Sequence, residues 1–356
     1  MKFISSTHIS ALLSIVLLSC DPPPSQQESG PKYQVRTLAF YNVENLFDTR
    51  NDSLTDDDER TPESPLQWTR DRYEKKLQHI ARVLAEIGRD EARRLPDLIG
   101  LCEVENRQVL EDLIRQAPLR DGGYGIVHED SPDHRGIDVA LLYRRSQFIV
   151  LEQQFRELKL RTRENRHRKT RDQLIVSGLL NGEPLYLAVN HWPSRSGGQG
   201  STELYRMQAA ALQRAILDSL LKFDPKARFI SMGDYNDNPD DPSLRYGLGT
   251  REFRDSLPAW LTYNPMGAFY KKGAGTLAYR DQWSLFDQVL FNGCWFEGDG
   301  GYKFWKAGIY NPDYLKTPEG PFKGYPYRTY AGGNYLGGFS DHFPVYALLI
   351  RPIPER

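Results

Sequence analysis

Residues 228–239 read Arg-Phe-Ile-Ser-Met-Gly-Asp-Tyr-Asn-Asp-Asn-Pro, and this stretch decides the fold prediction. Its first part, Arg228–Gly233, is mostly apolar and predicts a buried β-strand. Asp234 follows the strand at once, and Asn236 comes two residues later. In open α/β sheets, ligands bind in the crevice beyond the strand ends, so polar residues placed there are site candidates. A lone Asp or Asn at a strand end more often caps a turn, so recurrence of the pattern matters.

The pattern does recur elsewhere in the chain. Strand 35–41 is followed by Asn42, strand 97–102 by Glu103 and strand 185–189 by Asn190 and His191, and the last strand, 343–350, is preceded by Ser340, Asp341 and His342. Converging carboxylates, amides and histidines suit a hard cation and phosphoryl chemistry. Such oxygen ligands match Mg²⁺ best, with Mn²⁺ or Ca²⁺ as alternatives.

The remaining periodicity predicts helices between these strands. Tyr73, Leu77, Ile80, Leu84 and Ile87 recur at steps of four and three, which gives a helix one apolar face. A second helix is predicted at about 202–221. Strands that follow one another directly and strands that alternate with helices both occur, so the sheets should be mixed. We expect one domain of the α/β (α+β) class over residues 33–353.

Composition and missing motifs exclude several classes of protein. The chain has 356 residues, with 46 Lys+Arg against 47 Asp+Glu and 39% hydrophobic residues. These values exclude a disordered chain, a multi-span membrane protein and a strongly basic histone-like binder. The sequence has no Gly-x-Ser-x-Gly elbow, no Walker glycine loop, no His-Glu-x-x-His and no Cys-x-x-Cys. A zinc hydrolase that uses His191 and His342 stays open.

Seven short motifs together carry a resemblance to a known family. In chain order they are FYNVEN (40–45), GLCEVEN (100–106), GIDVALLY (136–143), NHWPSR (190–195), GDYNDNP (233–239), FDQ (286–288) and SDH (340–342). This set resembles the endonuclease/exonuclease/phosphatase superfamily, which includes deoxyribonucleases, apurinic endonucleases, inositol-polyphosphate phosphatases and neutral sphingomyelinases. The resemblance implies a four-layer sandwich of two mixed β-sheets flanked by helices.

The resemblance also implies a metal and a water site. Glu103 would hold the catalytic metal, with Asn42 and Asp341 also assigned to the metal site. Asp234 would orient or deprotonate the attacking water. Asn236 would position that water or donate a hydrogen bond to the phosphate. The metal would stabilise charge on the phosphoryl oxygens, so the water needs positioning more than covalent activation.

The histidines complete the implied site. His342, oriented by Asp341, would bind the scissile phosphate or transfer a proton. His191 would be the second histidine, either a general acid or a phosphate ligand. Asp287 would orient one of these rings, and Arg195 would contact the substrate phosphate.

Two further segments bear on the substrate. Residues 155–173 carry eight basic and three acidic residues, and Arg171 in this segment is a candidate substrate contact. Such a segment could track a nucleic-acid backbone, contact anionic lipid headgroups or simply be a solvated connector. The aromatic-rich segment 301–338, expected as a long loop, could stack bases, bind glycans or pack on itself.

These features predict a metal-dependent phosphodiesterase, with a nuclease as the leading hypothesis. The first alternative is a phospholipid-headgroup (sphingomyelinase-like) phosphodiesterase or a phosphomonoesterase that uses the same site. The other is a non-catalytic binding lipoprotein that retained the fold.

The N-terminus predicts export and a lipid anchor. Lys2 precedes the apolar run 9–18, which is too short to span a bilayer and is typical of a secretory signal. The run ends in Leu-Leu-Ser-Cys20, which resembles a bacterial lipobox, so Cys20 is the expected lipidation site after removal of residues 1–19. Residues 20–32 then form a tether, and membrane contact is expected through the lipid. The alternative is a plain secretory signal.

Overall fold

The computed structural model describes residues 32–298 and 300–353, so residues 1–19, most of the tether and Cys20 lie outside the described residues. Its helices are α1 (Arg70–Glu86), α2 (Arg89–Ala92), α3 (Arg107–Ile114), α4 (Gln199–Phe223) and α5 (Met266–Tyr270). Its strands are β1 (Tyr33–Leu46), β2 (Leu98–Val104), β3 (Tyr124–His128), β4 (Asp138–Arg144), β5 (Phe148–Arg156), β6 (Leu160–Arg161), β7 (His167–Arg168), β8 (Gln173–Leu180), β9 (Glu183–His191), β10 (Phe229–Asp234), β11 (Thr250–Arg251), β12 (Thr262–Tyr263), β13 (Leu277–Tyr279), β14 (Gln282–Ser284), β15 (Asp287–Asn292), β16 (Lys303–Ile309), β17 (Tyr330–Ala331), β18 (Asn334–Tyr335) and β19 (Val345–Pro352).

Most of these strands belong to two large sheets. One has six strands in the order β16-β19-β1-β2-β4-β3, and the other has seven in the order β11-β12-β15-β10-β9-β8-β5. Each sheet contains parallel and antiparallel pairs: β1 runs parallel to β2 and antiparallel to β19, and β10 runs parallel to β9 and antiparallel to β15. The expectation of mixed sheets is confirmed.

The buried side chains define four layers. Alternate residues of β1, such as Leu38 and Phe40, pack against Ile230 and Met232 of β10 in a core between the sheets. The other face of the six-stranded sheet packs on α1 and α3, and the other face of the seven-stranded sheet packs on α4. This alternation follows from the period-2 geometry of strands, and the four-layer sandwich is confirmed.

Local sequence accounts for the helix positions. On α1, the predicted apolar face (Tyr73, Leu77, Ile80 and Leu84) is fully buried. The Asn106 side chain accepts a hydrogen bond from the Val109 N–H at 3.0 Å and caps α3.

Several elements differ from the sequence expectation. Strands β3, β5 and β16 were not predicted, and β16 lies inside the segment that was expected to be one long aromatic loop. Both β5 and β16 lie at a sheet edge. One face of β5 is exposed, and the aromatic pair of β16 is flanked by Lys303 and Lys306, so neither strand shows the usual apolar signal. Cys102 and Cys294 are both free and buried. No helix among the described residues is long and apolar enough to span a bilayer.

Candidate active site

Three adjacent strands of the seven-stranded sheet place three side chains in one row. His191 of β9 and Asp287 of β15 both pair in register with Asp234 of β10. Side chains of directly paired residues point to the same face of a sheet, with their Cβ atoms about 4.5–5.5 Å apart. All three are buried, so the register alone creates a cluster of two acids and one histidine.

The six-stranded sheet contributes Asn42 and Glu103. Pairing of β2 with its neighbours is regular up to Cys102 and shifts before Val104, so Glu103 occupies a bulge with φ of +61°. Bulges redirect side chains, and a left-handed φ is unusual for glutamate. Here Glu103 Oε1 lies 3.4 Å from Asn42 Nδ2, and Oε2 accepts a hydrogen bond from the Asn45 N–H at 3.0 Å.

The two sheets meet at Asp234. Asn42 Nδ2 donates to Asp234 Oδ2 at 3.1 Å. His191 Nε2 lies 3.8 Å from both this oxygen and Glu103 Oε1. The structure therefore brings the predicted metal, water and histidine positions into one small buried space.

His342 is oriented by Asp287. Its Nδ1 lies 2.6 Å from Asp287 Oδ2, and its Nε2 faces Asp234 Oδ2 at 3.9 Å. The expectation that Asp341 orients this ring is wrong, because Asp287 of β15 already occupies the Nδ1 side. Asp341 instead accepts a hydrogen bond from Arg328 at 2.6 Å.

Opposite charges stabilise His342 in its protonated form. Burial by itself lowers the pKa of a histidine, but Asp287, Asp234 and Asp341 together raise the pKa of His342 well above its ordinary value. Burial also raises the pKa of Asp234, and the nearby Asp287 adds to this, whereas His342 opposes it.

His191 has the opposite character. Burial lowers the pKa of His191 well below its ordinary value, and the charges of Arg171, Arg135 and His342 act in the same direction. Its Nδ1 is buried and has no hydrogen-bond partner among the described residues. The pKa values of the two histidines of the site are therefore shifted in opposite directions.

Arg171 is buried close to the end of β9, the strand that carries His191. It donates to Asp133 Oδ2 at 3.1 Å and to the Trp192 carbonyl at 2.7 Å. These bonds hold the chain directly after His191, so Arg171 acts in this structure as a positioning residue.

Arg195 and Asn236 support the loop after β10. Arg195 donates to the Asn236 carbonyl and to Asp237, both at 2.8 Å, and also pairs with Asp241. Asn236, at φ of +52°, donates its backbone N–H to Asp234 Oδ1 at 2.8 Å and its amide to the Trp192 carbonyl at 2.9 Å. The second Asp234 oxygen is therefore the one that faces the site.

Sequence reasoning missed a charge network behind Asn42. The Glu44 N–H donates to Asn42 Oδ1 at 3.0 Å, and the Glu44 carboxylate lies 3.8 Å from Lys76 Nζ and 3.6 Å from Arg328 Nε. Burial raises the pKa of Glu44 and lowers that of Lys76. Glu44 lies within the FYNVEN motif and could have been singled out. A lysine on a helix face gives no such signal.

The donor set fits a hard cation. Glu103 Oε1 and Asp234 Oδ2 face the buried space, and Asp287 Oδ1 is buried without a hydrogen-bond partner among the described residues. Asn42 turns its Nδ2 rather than its oxygen toward the two carboxylates, because its Oδ1 accepts from the Glu44 N–H. Ligand atoms of Asp234, Asp287 and His342 lie within 4.8 Å of one another. Burial, with Asp287 beside it, raises the pKa of Asp234, and a cation bound here would favour the charged carboxylate.

Comparison with known families agrees with this geometry. The family model described as "Endonuclease/Exonuclease/phosphatase family" matches residues 37–351. The chain belongs to this family. The resemblance read from the seven motifs is therefore confirmed, and the chain is a metal-dependent phosphoric ester hydrolase. No curated protein sequence matches the chain significantly.

Solved structures share the fold at low sequence identity. D. rerio TDP2 in complex with a single-stranded DNA product is 16% identical, with a TM-score of 0.51 over 88% of this chain and 98% of that one. The Bacteroides thetaiotaomicron mannosyl-6-phosphatase Bt3783 is 15% identical, with a TM-score of 0.52 over 88% and 99%. The human Nocturnin catalytic domain with bound sulfate is 15% identical, with a TM-score of 0.52 over 90% and 97%.

The His342–Asp287 pair predicts an abnormal titration. In metal-free protein kept in EDTA, we expect the His342 ring to titrate above the ordinary value of about 6.5 by NMR. Asp287→Asn should lower that pKa, because it removes the adjacent opposite charge. Because the pKa of His342 is raised in the folded protein, the His342–Asp287 pair stabilises the fold below about pH 6.5. This stabilisation is lost as the pH rises through the raised pKa.

Asp218→Asn, on the surface of α4, is the matched control and should leave the His342 titration unchanged. A His342 signal that titrates near 6.5 in the unmodified protein would contradict the assignment.

Proposed function

We propose that this protein is a Mg²⁺-dependent phosphodiesterase that hydrolyses nucleic acid. The observation that carries the proposal is a basic cavity close to the end of the strand that carries His191. The cavity has a volume of about 220 Å³, and its lining includes Arg135, Arg168 and Lys169 together with Pro193 and Ser194, which come two and three residues after His191. Basic side chains beside a phosphoryl-transfer site can bind the phosphates that flank the scissile one.

The chain's own residues divide the work of hydrolysis. Asp234 is fixed through Oδ1 by the Asn236 N–H, and its Oδ2, which also accepts from Asn42, would orient the attacking water and take its proton. The His342 imidazolium, fixed by Asp287, would stabilise the developing phosphoryl charge through Nε2 or donate a proton to the leaving oxygen.

Glu103 would hold the cation directly, with Asn42 beside it. Mg²⁺ would supply positive charge at the phosphoryl oxygens. Asp341 was also assigned to the metal site. As a ligand it would bind the cation while its carboxylate still accepts the hydrogen bond from Arg328.

Removal of the cation or of Asp234 should abolish hydrolysis. Purified protein should be given plasmid DNA, RNA, bis(4-nitrophenyl) phosphate, 4-nitrophenyl phosphate and sphingomyelin, each with Mg²⁺ or EDTA. We expect cleavage of the nucleic acids and the diester with Mg²⁺ only. Asp234→Asn should reduce kcat about 10²- to 10⁴-fold, because the water loses its base.

Asp218→Asn is again the matched control and should retain full activity. Cleavage in EDTA, or an Asp234→Asn variant as active as the original, would overturn the mechanism. Cleavage of sphingomyelin alone, or of the monoester alone, would overturn the nuclease proposal and leave the mechanism standing.

The hairpin β6–β7 supports polyanion binding. Its turn carries Arg163 and Arg166 on exposed positions, and Arg168 follows in β7. Arg163→Ser/Arg166→Ser should raise KM for DNA and reduce the slope of log KM against log salt by about 2, because about 0.9 counterion is released per phosphate contact. The rate on bis(4-nitrophenyl) phosphate should not change.

Arg89→Ser/Arg93→Ser removes the same charge from exposed positions near the start of β2, the end opposite Glu103. An equal rise in KM for this control would show a general charge effect and count against a role for the hairpin.

We also propose that the protein is exported and anchored through a lipid on Cys20. The supports are the apolar run 9–18, the lipobox-like Leu-Leu-Ser-Cys20 and the polar segment after it. Cells fed a clickable fatty acid should yield labelled protein in the membrane fraction. Cys20→Ser should lose the label, whereas Cys294→Ser should keep it. An unlabelled original protein would refute the anchor.

A further inference from the structure

A second, largely apolar pocket lies beside the site on the side away from the basic hairpin. It has a volume of about 640 Å³, and its walls come from the β13–β14 hairpin, the loop before β17 and the β17–β18 hairpin. Aromatic and aliphatic side chains dominate the walls, among them Tyr279, Phe322, Tyr325 and Leu336. This volume falls in the range that binds small organic ligands, about 300–1,000 Å³.

The pocket is continuous with the reactive groups. Its lining includes Asp341, the residue directly before His342, and Arg328, which pairs with Asp341 at 2.6 Å and approaches Glu44 at 3.6 Å. A ligand in the pocket therefore lies beside the position proposed for the phosphate. A ring attached to the phosphate through a short linker, as in a nucleotide, would point into it.

Aromatic packing fixes the position of the pocket relative to His342. The Trp283 ring stacks on Phe343, the residue after His342, at 6.0 Å with an interplanar angle of 15°. Tyr325 packs edge-on against Trp283 at 5.8 Å, and its hydroxyl accepts a hydrogen bond from the Asp281 N–H at 2.7 Å. The walls are thus positioned by contacts rather than left as independent loops.

Two wall residues have large aromatic side chains that are more than half exposed to solvent. Tyr279 is 69% exposed and Phe322 is 54% exposed. Covering such surface is favourable, at about 25 cal/mol per Å² removed from water. An exposed apolar concavity next to a reactive site is a common mark of a ligand site.

The wall chemistry favours a flat, polar aromatic ring over an acyl chain. Two guanidinium groups line the pocket: Arg280 lies over the Tyr279 ring at 5.1 Å, and Arg328 lies beside Asp341. Arginine and aromatic faces stack on nucleobases, whose edges also accept and donate hydrogen bonds. An acyl chain would displace water from the Arg328–Asp341 ion pair and offer it no hydrogen bond in return.

We propose that this pocket binds the base of a nucleotide attached to the scissile phosphate, stacked against Phe322 and Tyr279. This inference rests on the proposed phosphodiesterase function and names its substrate class: diesters that carry a nucleobase next to the reacting phosphate. Phe322 and Tyr279 are then specificity residues, because they would contact the base and not the reacting phosphate.

Two substrates test the inference in the full-length protein with Mg²⁺. Dithymidine monophosphate carries bases, whereas glycerophosphoethanolamine is a diester without any ring. Phe322→Ala and Tyr279→Ala should each raise KM for the dinucleotide about 5- to 100-fold, with kcat little changed, because stacking is lost. Hydrolysis of glycerophosphoethanolamine should be unchanged. Phe322→Trp should restore the dinucleotide KM.

Tyr246→Ala is the matched control, since Tyr246 is 72% exposed and lies in the π-helical turn Ser243–Leu248, outside the pocket lining. It should leave both substrates unaffected. If DNA is cleaved but the pocket variants keep the original KM, the inference is wrong and the proposed function stands. If the variants instead lose turnover of short-chain phosphatidylglycerol, the pocket binds acyl chains and the inference is overturned.

A binding measurement separates the two proposals if no diester is hydrolysed. Calorimetric titration of metal-free protein with thymidine 5′-monophosphate should show binding that Phe322→Ala weakens about 5- to 100-fold. Inorganic phosphate should bind the original and variant proteins equally. Absence of nucleotide binding, or binding that the variant does not weaken, refutes the pocket assignment whatever the enzyme assays show.

Discussion

The rest of this site depends on the burial of Asp234 where the two sheets meet. A carboxylate removed from water is costly unless hydrogen bonds and opposite charges compensate it. Asn42 and the Asn236 N–H each donate to it, and the rings of His191 and His342 lie 3.8 and 3.9 Å from its Oδ2. Burial nevertheless raises the pKa of Asp234. A cation bound beside Asp234 would favour its charged form, which is consistent with the metal dependence of the family.

The arginines around the site fall into two groups with different roles. Arg171, Arg195 and Arg328 are each tied to acids and carbonyls of the chain, so they fix the loops that hold the reacting side chains. The hairpin arginines lie on the surface instead, where long-range attraction can steer a polyanion. A formal net charge of -1 is therefore compatible with a phosphate-ester substrate, because acids gather at the cation site and exposed bases gather beside it.

Much of the fold could be predicted from local patterns. The strand predicted at 228–233 is observed as Phe229–Asp234, and the apolar face of α1 is the buried one. Edge strands escaped prediction, since one face of β5 is exposed and the two aromatic residues of β16 are flanked by lysines. A strand shielded on one face only has less need of apolar residues, so its sequence signal is weak. The aromatic-rich segment 301–338 is also not one loop, because it contains β16, which pairs with β19.

What the sequence by itself determined is the set of chemical groups and their order along the chain: Asn42, Glu103, His191, Asp234 and the Ser-Asp-His motif, each at the end of a recognisable strand or just before one. Only the tertiary structure decided which of these groups touch. Asp287 rather than Asp341 holds His342, since the packing of the two sheets brings residues 55 positions apart within 2.6 Å while the neighbouring carboxylate turns to Arg328. Likewise, the bulge that turns Glu103 toward Asn42 depends on pairing between distant strands, and the pocket forms where two hairpins and one loop come together. Local sequence specifies propensity and polarity, but contact between distant segments is set by register and packing.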